Sequence, residues 1–131
     1  MLKKVLLASI AVFILWSALD FVIHGMILGA TYASTAQLWR PQAEMKTWLL
    51  YLVTFIAAFT FVGIYGWLIA SKGTGTALRY GLLFGLGTGI SMGYGTYAFM
   101  PIPYMLALVW FLGSLVEYVA GALLAGVIIR E

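Results

Sequence analysis

Four stretches of this chain are apolar for longer than a lipid bilayer is thick. They run over about residues 5–28, 47–70, 80–100 and 104–129. About 20 such residues cross a hydrocarbon layer of roughly 30 Å as a helix. Inside lipid the backbone has no water to bond, so each segment must satisfy its own N–H and C=O groups as an α-helix. The expectation is an all-α protein: one domain, an integral membrane antiparallel four-helix bundle, with helices over about 5–29, 41–70, 79–100 and 104–129. Composition agrees. Of 131 residues, 64% are hydrophobic and 8% charged, against roughly 25% charged in soluble domains. A soluble core of this size could not hide so much apolar surface, so lipid must be the main solvent.

The first apolar segment follows Lys3 and Lys4, as a secretion signal would. It is longer than a signal's apolar region and carries Asp20, and is read as a retained helix. Lys3, Lys4, Lys72, Arg79 and Arg130 flank one side of the four segments; Arg40 and Lys46 flank the other. The side richer in Lys and Arg is cytoplasmic. The expectation is a multi-pass protein of the inner (plasma) membrane with both termini in the cytoplasm. The basic residues are scattered at segment ends, with no tract to grip nucleic acid. There is no cysteine, which excludes disulfides, thiolate metal sites and dithiol redox chemistry.

The connections are short except for one. The external stretch 30–46 contains "LWRPQAEMK", where Pro41 suits a first helical turn and Gln42 and Glu44 follow. This predicts that the second helix starts near Pro41, outside the membrane, with Trp39 and Trp48 at the outer interface. "SKGTGT" reads as a cytoplasmic turn, and the two prolines of "MPIPY" as a tight outer turn.

In the third segment Gly81, Gly85, Gly89 and Gly93 recur every four residues. They make a ridge without side chains, where another backbone can approach closely. They are not a pyrophosphate loop, which needs a strand before the glycines. On the fourth segment Gly113, Glu117 and Gly121 share one face, so Glu117 should point at other helices.

Three ionisable groups lie within apolar segments: Asp20, His24 and Glu117. Such groups are costly in lipid and should face protein or water. Asp20 and His24 share a face at spacing four; Ser17 extends it inward and Thr31 outward. At 1.5 Å per residue Asp20 lies ~13 Å below the outer end of its helix and Glu117 ~20 Å below that of the fourth. The two acids can share a layer, and one proton can serve both. Tyr94 and Tyr97 of the third helix could supply hydroxyl donors at a similar level. Three roles are open to this cluster: interhelical glue, a proton, ion or small-ligand site, or a contact with a partner subunit.

No metal site is predicted: carboxylate-bridged metal bundles need more ligands, including Glu-x-x-His pairs, and the chain has none. A haem with two histidine ligands would need a homodimer, since His24 is the only histidine. No cofactor is predicted. Hydrolase, zinc-protease and P-loop motifs are absent, and Ser17, Asp20 and His24 on one helix offer no oxyanion hole. The chain is read as leaning away from catalysis.

"LDFVIHGMILGATY" and "QLWRP" give the layout a resemblance to the small uncharacterised bacterial four-helix membrane proteins grouped as domains of unknown function. In some of these an Asp-aromatic pair in the first helix precedes an aromatic-rich loop. The resemblance covers the first third of the chain and implies no activity. Small multidrug exporters place an essential glutamate on their first helix, where this chain has Asp20. The asparagine motif of dual-topology fluoride channels and the cysteines of disulfide-generating quinone reductases are absent. Beyond the lipid bilayer, the expected partners are other membrane subunits or further copies of the chain. The first functional expectation is a non-catalytic accessory subunit of a larger membrane complex. The alternatives are a small transporter or proton-coupled carrier using Asp20, His24 and Glu117, and a cofactor-binding redox subunit.

Overall fold

The computed structural model describes residues 1–130. The protein is all-α, with four long helices packed together. Helix α1 (Leu2–Asp20) continues as a π-helical turn, Phe21–Ile27, and ends in short α2 (Gly29–Ser34). Helix α3 (Thr47–Gly63) runs into a second π turn, Ile64–Leu68. Helix α4 (Thr74–Ile90) runs through a third, Ser91–Gly95, into α5 (Thr96–Phe99). Helix α6 (Tyr104–Ile128) is regular throughout. Both termini lie at one end, where the Lys4 Nζ donates to the Arg130 carbonyl at 3.1 Å. This is called the terminal end below, and the opposite one the distal end.

Three helices, Leu2–Ile27, Thr47–Leu68 and Tyr104–Ile128, are long and apolar enough to cross a membrane. The chain is thus a small multi-span membrane protein in contact with lipid. The third long helix falls below that threshold because its glycines dilute its apolar content, not because it carries charge.

Two expected boundaries differ. The second helix starts at Thr47, not Pro41. Pro41 has ψ 151°, and Gln42–Glu44 makes a single 3-10 turn before the chain extends again at Met45. Residues 40–46 are all exposed. A short helix with no face to bury does not hold in water. The third helix starts at Thr74 rather than at residue 79, directly after Gly73. That glycine has φ 140°, a conformation closed to other residues, and turns the chain into the helix.

The glycine ridge decides how α4 and α6 pack. Gly81, Gly85, Gly89 and Gly93 are all buried. A Cβ on Gly81 would lie 2.7 Å from the Tyr118 carbonyl oxygen, and one on Gly93 2.5 Å from that of Ala107. The two backbones touch along the whole ridge. On the neighbouring face of α6, Gly113 receives Ile23 from the π turn and Gly121 receives the Trp16 indole from α1. The ridge is therefore covered within the chain. It offers no seat for a partner subunit.

Two apolar cores result. One fills the terminal half, around Val5, Val12, Trp16, Phe61 and Tyr65. Phe61 stacks on Tyr80 at 4.6 Å and meets Phe84, Tyr118 and Trp16 edge-on or tilted, joining all four helices. The smaller core gathers Ile23, Leu28, Ile102, Leu106 and Ala107 at the distal end.

Candidate functional site

Asp20, Glu117 and His24 meet between these two cores. Asp20 is the last residue of regular α1, and His24 sits in the π turn that follows. In that turn the Leu28 N–H bonds the Ile23 carbonyl, five residues back. Single π turns within α-helices frequently occur at functional sites. The His24 Nε2 lies 3.8 Å from the Asp20 Oδ1. From the next helix Glu117 brings its carboxyl within hydrogen-bonding and charge-interaction reach of Asp20. Glu117 is held from behind, because the Trp16 indole donates to its backbone carbonyl at 2.7 Å.

The contact is not closed. Asp20, His24 and Glu117 line a cavity of about 120 Å³ with Ile23, Met92, Trp110, Gly113, Ser114 and Tyr118. At about 30 Å³ per molecule this is room for a few waters. Met92 comes from the third π turn, so two of the three irregular helical turns flank the cavity.

A hydrogen-bonded cap closes the distal side. The Trp110 Nε1 donates to the Tyr32 hydroxyl at 2.8 Å, and that hydroxyl lies 2.7 Å from the His24 Nδ1. The indole can only donate, so the Tyr32 oxygen accepts and its own proton is free to point at Nδ1. With the phenol proton directed at Nδ1, neutral His24 takes the tautomer protonated on Nε2, the nitrogen nearer Asp20. Burial raises the Tyr32 phenol above its ordinary value; the Trp110 bond opposes this and the Asp20 charge adds to it. The neutral phenol, the form able to donate, is thus the one favoured. Trp39 completes the cap, edge-on to Tyr32 and bonded through Nε1 to the Thr35 Oγ1 at 2.9 Å. Trp39 is half-buried there, whereas Trp48 is exposed.

Tyr94 and Tyr97 are not part of the site. Tyr94 pairs with the Tyr104 hydroxyl at 3.0 Å and Tyr97 meets the Tyr104 ring edge-on, in an exposed cluster where the turn joins α5 to α6. Thr31, expected to extend the polar face, instead accepts the Thr35 hydroxyl at its carbonyl. The Ser17 Oγ is buried, without a hydrogen bond among the described residues. Tyr32, Trp110 and Trp16 are the members that sequence reasoning missed. Tyr32 had a signal: the spacing of four from Asp20 to His24 reaches it two steps later. Trp110 lies 78 residues from Tyr32, and nothing local pairs them.

Among the described residues no group of three or more His, Asp or Glu side chains is placed to hold a metal ion. The arrangement can bind and exchange a proton, or bind a monovalent cation, between two facing carboxyls. No family model, curated protein or solved structure matches the chain.

Proposed function

We infer that this is a four-span carrier with both termini in the cytoplasm, which takes up and releases a proton or monovalent cation at Asp20 and Glu117. The observation that carries this reading is the cavity: two carboxyls and an imidazole face a space wide enough for water. Interhelical glue would be a dry contact. Access is lateral. Towards the terminal end Trp16, Phe61, Tyr80, Phe84 and Tyr118 stack into a seal and towards the distal end Tyr32, Trp39 and Trp110 form the cap, whereas the side chains of Asp20 and His24 are 38% and 36% exposed. The excess of Lys and Arg at the terminal end makes that end cytoplasmic and the capped end external.

The third helix crosses with the others. From Thr74 to Phe99 it is about 39 Å long at 1.5 Å per residue. Its glycines are buried on α6, and Leu82, Leu83, Leu86 and Ile90 are left exposed for lipid.

Two measurements test the reading. After an acid pulse on protein in nanodiscs, infrared difference spectra should show a carboxyl band that Asp20→Asn and Glu117→Gln each abolish. In proteoliposomes with a trapped pH dye, wild-type protein should dissipate an imposed pH gradient, and either variant should match protein-free vesicles. Circular dichroism and size-exclusion profiles check that the variants fold. Wild-type behaviour in both variants refutes it.

A further inference from the structure

Four features of the cavity define what it can hold. First, two carboxyls face it, and no Lys or Arg does; His24 is the only basic group on its wall. Its ligand carries positive charge. Second, no three carboxylate or imidazole groups have metal-binding geometry among the described residues, and Ile23, Met92, Trp110 and Tyr118 form the rest of the wall. Aromatic and apolar walls favour an organic ammonium over a strongly hydrated inorganic ion. Third, its volume of about 120 Å³ is close to the roughly 150 Å³ that accommodates benzene. It takes an ammonium head and part of a small body.

The fourth feature is the open side. Phe13, Trp16 and Asp20 lie on one face of α1 at spacings of three and four. Helix α3 covers the first two: Tyr51 and Phe55 pack on Phe13, and Phe61 on Trp16. It does not cover Asp20, and no α3 residue lines the cavity. Tyr51 and Phe55 hold α3 on α1 only as far as Phe13, and Trp48, Leu50, Leu52 and Val53 beyond or around them are exposed. The wall that α3 provides to Phe13 and Trp16 does not extend to the carboxyls.

We propose that the cavity binds a small monovalent organic ammonium with an aryl or alkyl body, its head between Asp20 and Glu117 and its body against Ile23, Met92 and Trp110, entering from the bilayer on the side that α3 leaves uncovered. The cation takes the place of the proton held by the carboxyl pair, so charge in the site is conserved and a proton leaves for each ligand bound. This assignment rests on the carrier reading above and names its substrate class.

The test uses full-length protein in nanodiscs, with binding followed by calorimetry and tryptophan fluorescence and with empty nanodiscs subtracted. The probes are methylammonium, benzylammonium, 4-phenylbutylammonium and, as a neutral control, benzyl alcohol. Affinity should rise by about fourfold for each methylene buried, and benzyl alcohol should bind at least about tenfold more weakly than benzylammonium. Glu117→Gln and Asp20→Asn should each weaken the ammonium probes and leave the alcohol unchanged. Met92→Ala, on the apolar wall of the cavity, should flatten the dependence on body size without changing methylammonium binding. Equal binding of benzylammonium and benzyl alcohol, or a preference for methylammonium, overturns the proposal. So does an unchanged size dependence in Met92→Ala. The infrared carboxyl band separates the two levels. If it is present without ammonium binding, the proposal fails and the proton site stands; if it is absent in the wild type, both fail.

Discussion

Replacing Tyr32 by Phe removes one oxygen and leaves the ring in place. That oxygen holds two contacts, 2.8 Å from the Trp110 Nε1 and 2.7 Å from the His24 Nδ1. Each neutral hydrogen bond contributes about 0.5–1.5 kcal/mol net, and a stranded buried partner costs about 1–3 kcal/mol. Both partners here are half-buried and border a space that admits water, so the stranding cost is partly relieved. The expected loss of stability is about 1–3 kcal/mol. The second effect is specific to the site. Without the phenol, nothing reserves Nδ1 as an acceptor, and the His24 proton is no longer confined to Nε2. Because His24 is the only histidine, 15N-histidine labelling gives one pair of imidazole signals, and solid-state NMR reads the tautomer directly. Wild-type protein should show a bare Nδ1 and a protonated Nε2. The Tyr32→Phe variant should show a mixture, with a lower thermal midpoint. A protonated Nδ1 in neutral wild-type His24 would refute the reasoning. So would an unchanged tautomer in a destabilised variant, because that would make Tyr32 a packing residue only.

The glycine ridge predicts opposite signs for two similar substitutions. A Cβ on Gly93 needs about 0.9 Å more room against the Ala107 carbonyl, an overpacking that costs about 1–3 kcal/mol. Gly87 has open space within 4 Å, and Ala there gains up to about 1 kcal/mol of helix propensity. Thermal unfolding in one detergent should rank Gly87→Ala at or above wild type and Gly93→Ala below it. The orientation is checked by introducing single cysteines into a chain that has none. In right-side-out cells a membrane-impermeant maleimide should label Gln42→Cys and spare Ser71→Cys until the membrane is opened.

The polar cluster was largely legible because lipid makes ionisable residues rare. Asp20, His24 and Glu117 stand out against an apolar background, and helical rise alone puts the two acids at similar depth. Tyr94 and Tyr97 were misplaced for a reason that depth cannot capture. They lie near the right level, but they pack on Tyr104 and Phe111 of α6 at the exposed edge of that contact and not towards Asp20. The helix expected from Pro41 failed similarly. Proline at a first turn permits a helix, but no neighbouring surface covers residues 40–46.

The chain's own chemistry determined that it is a membrane-embedded bundle, which segments must be helical and which residues are too polar for lipid to touch. These follow from local quantities: segment length, backbone hydrogen bonding and the cost of burying charge. Tertiary structure decided which helix fills the glycine ridge, that Trp110 and Tyr32 fix the imidazole, and that the carboxyls face a cavity with one wall missing. Those outcomes depend on the angle and distance between helices far apart in sequence. Aromatic contacts hold α3 on α1 as far as Phe13 and Trp16, and no α3 residue reaches the cavity at Asp20.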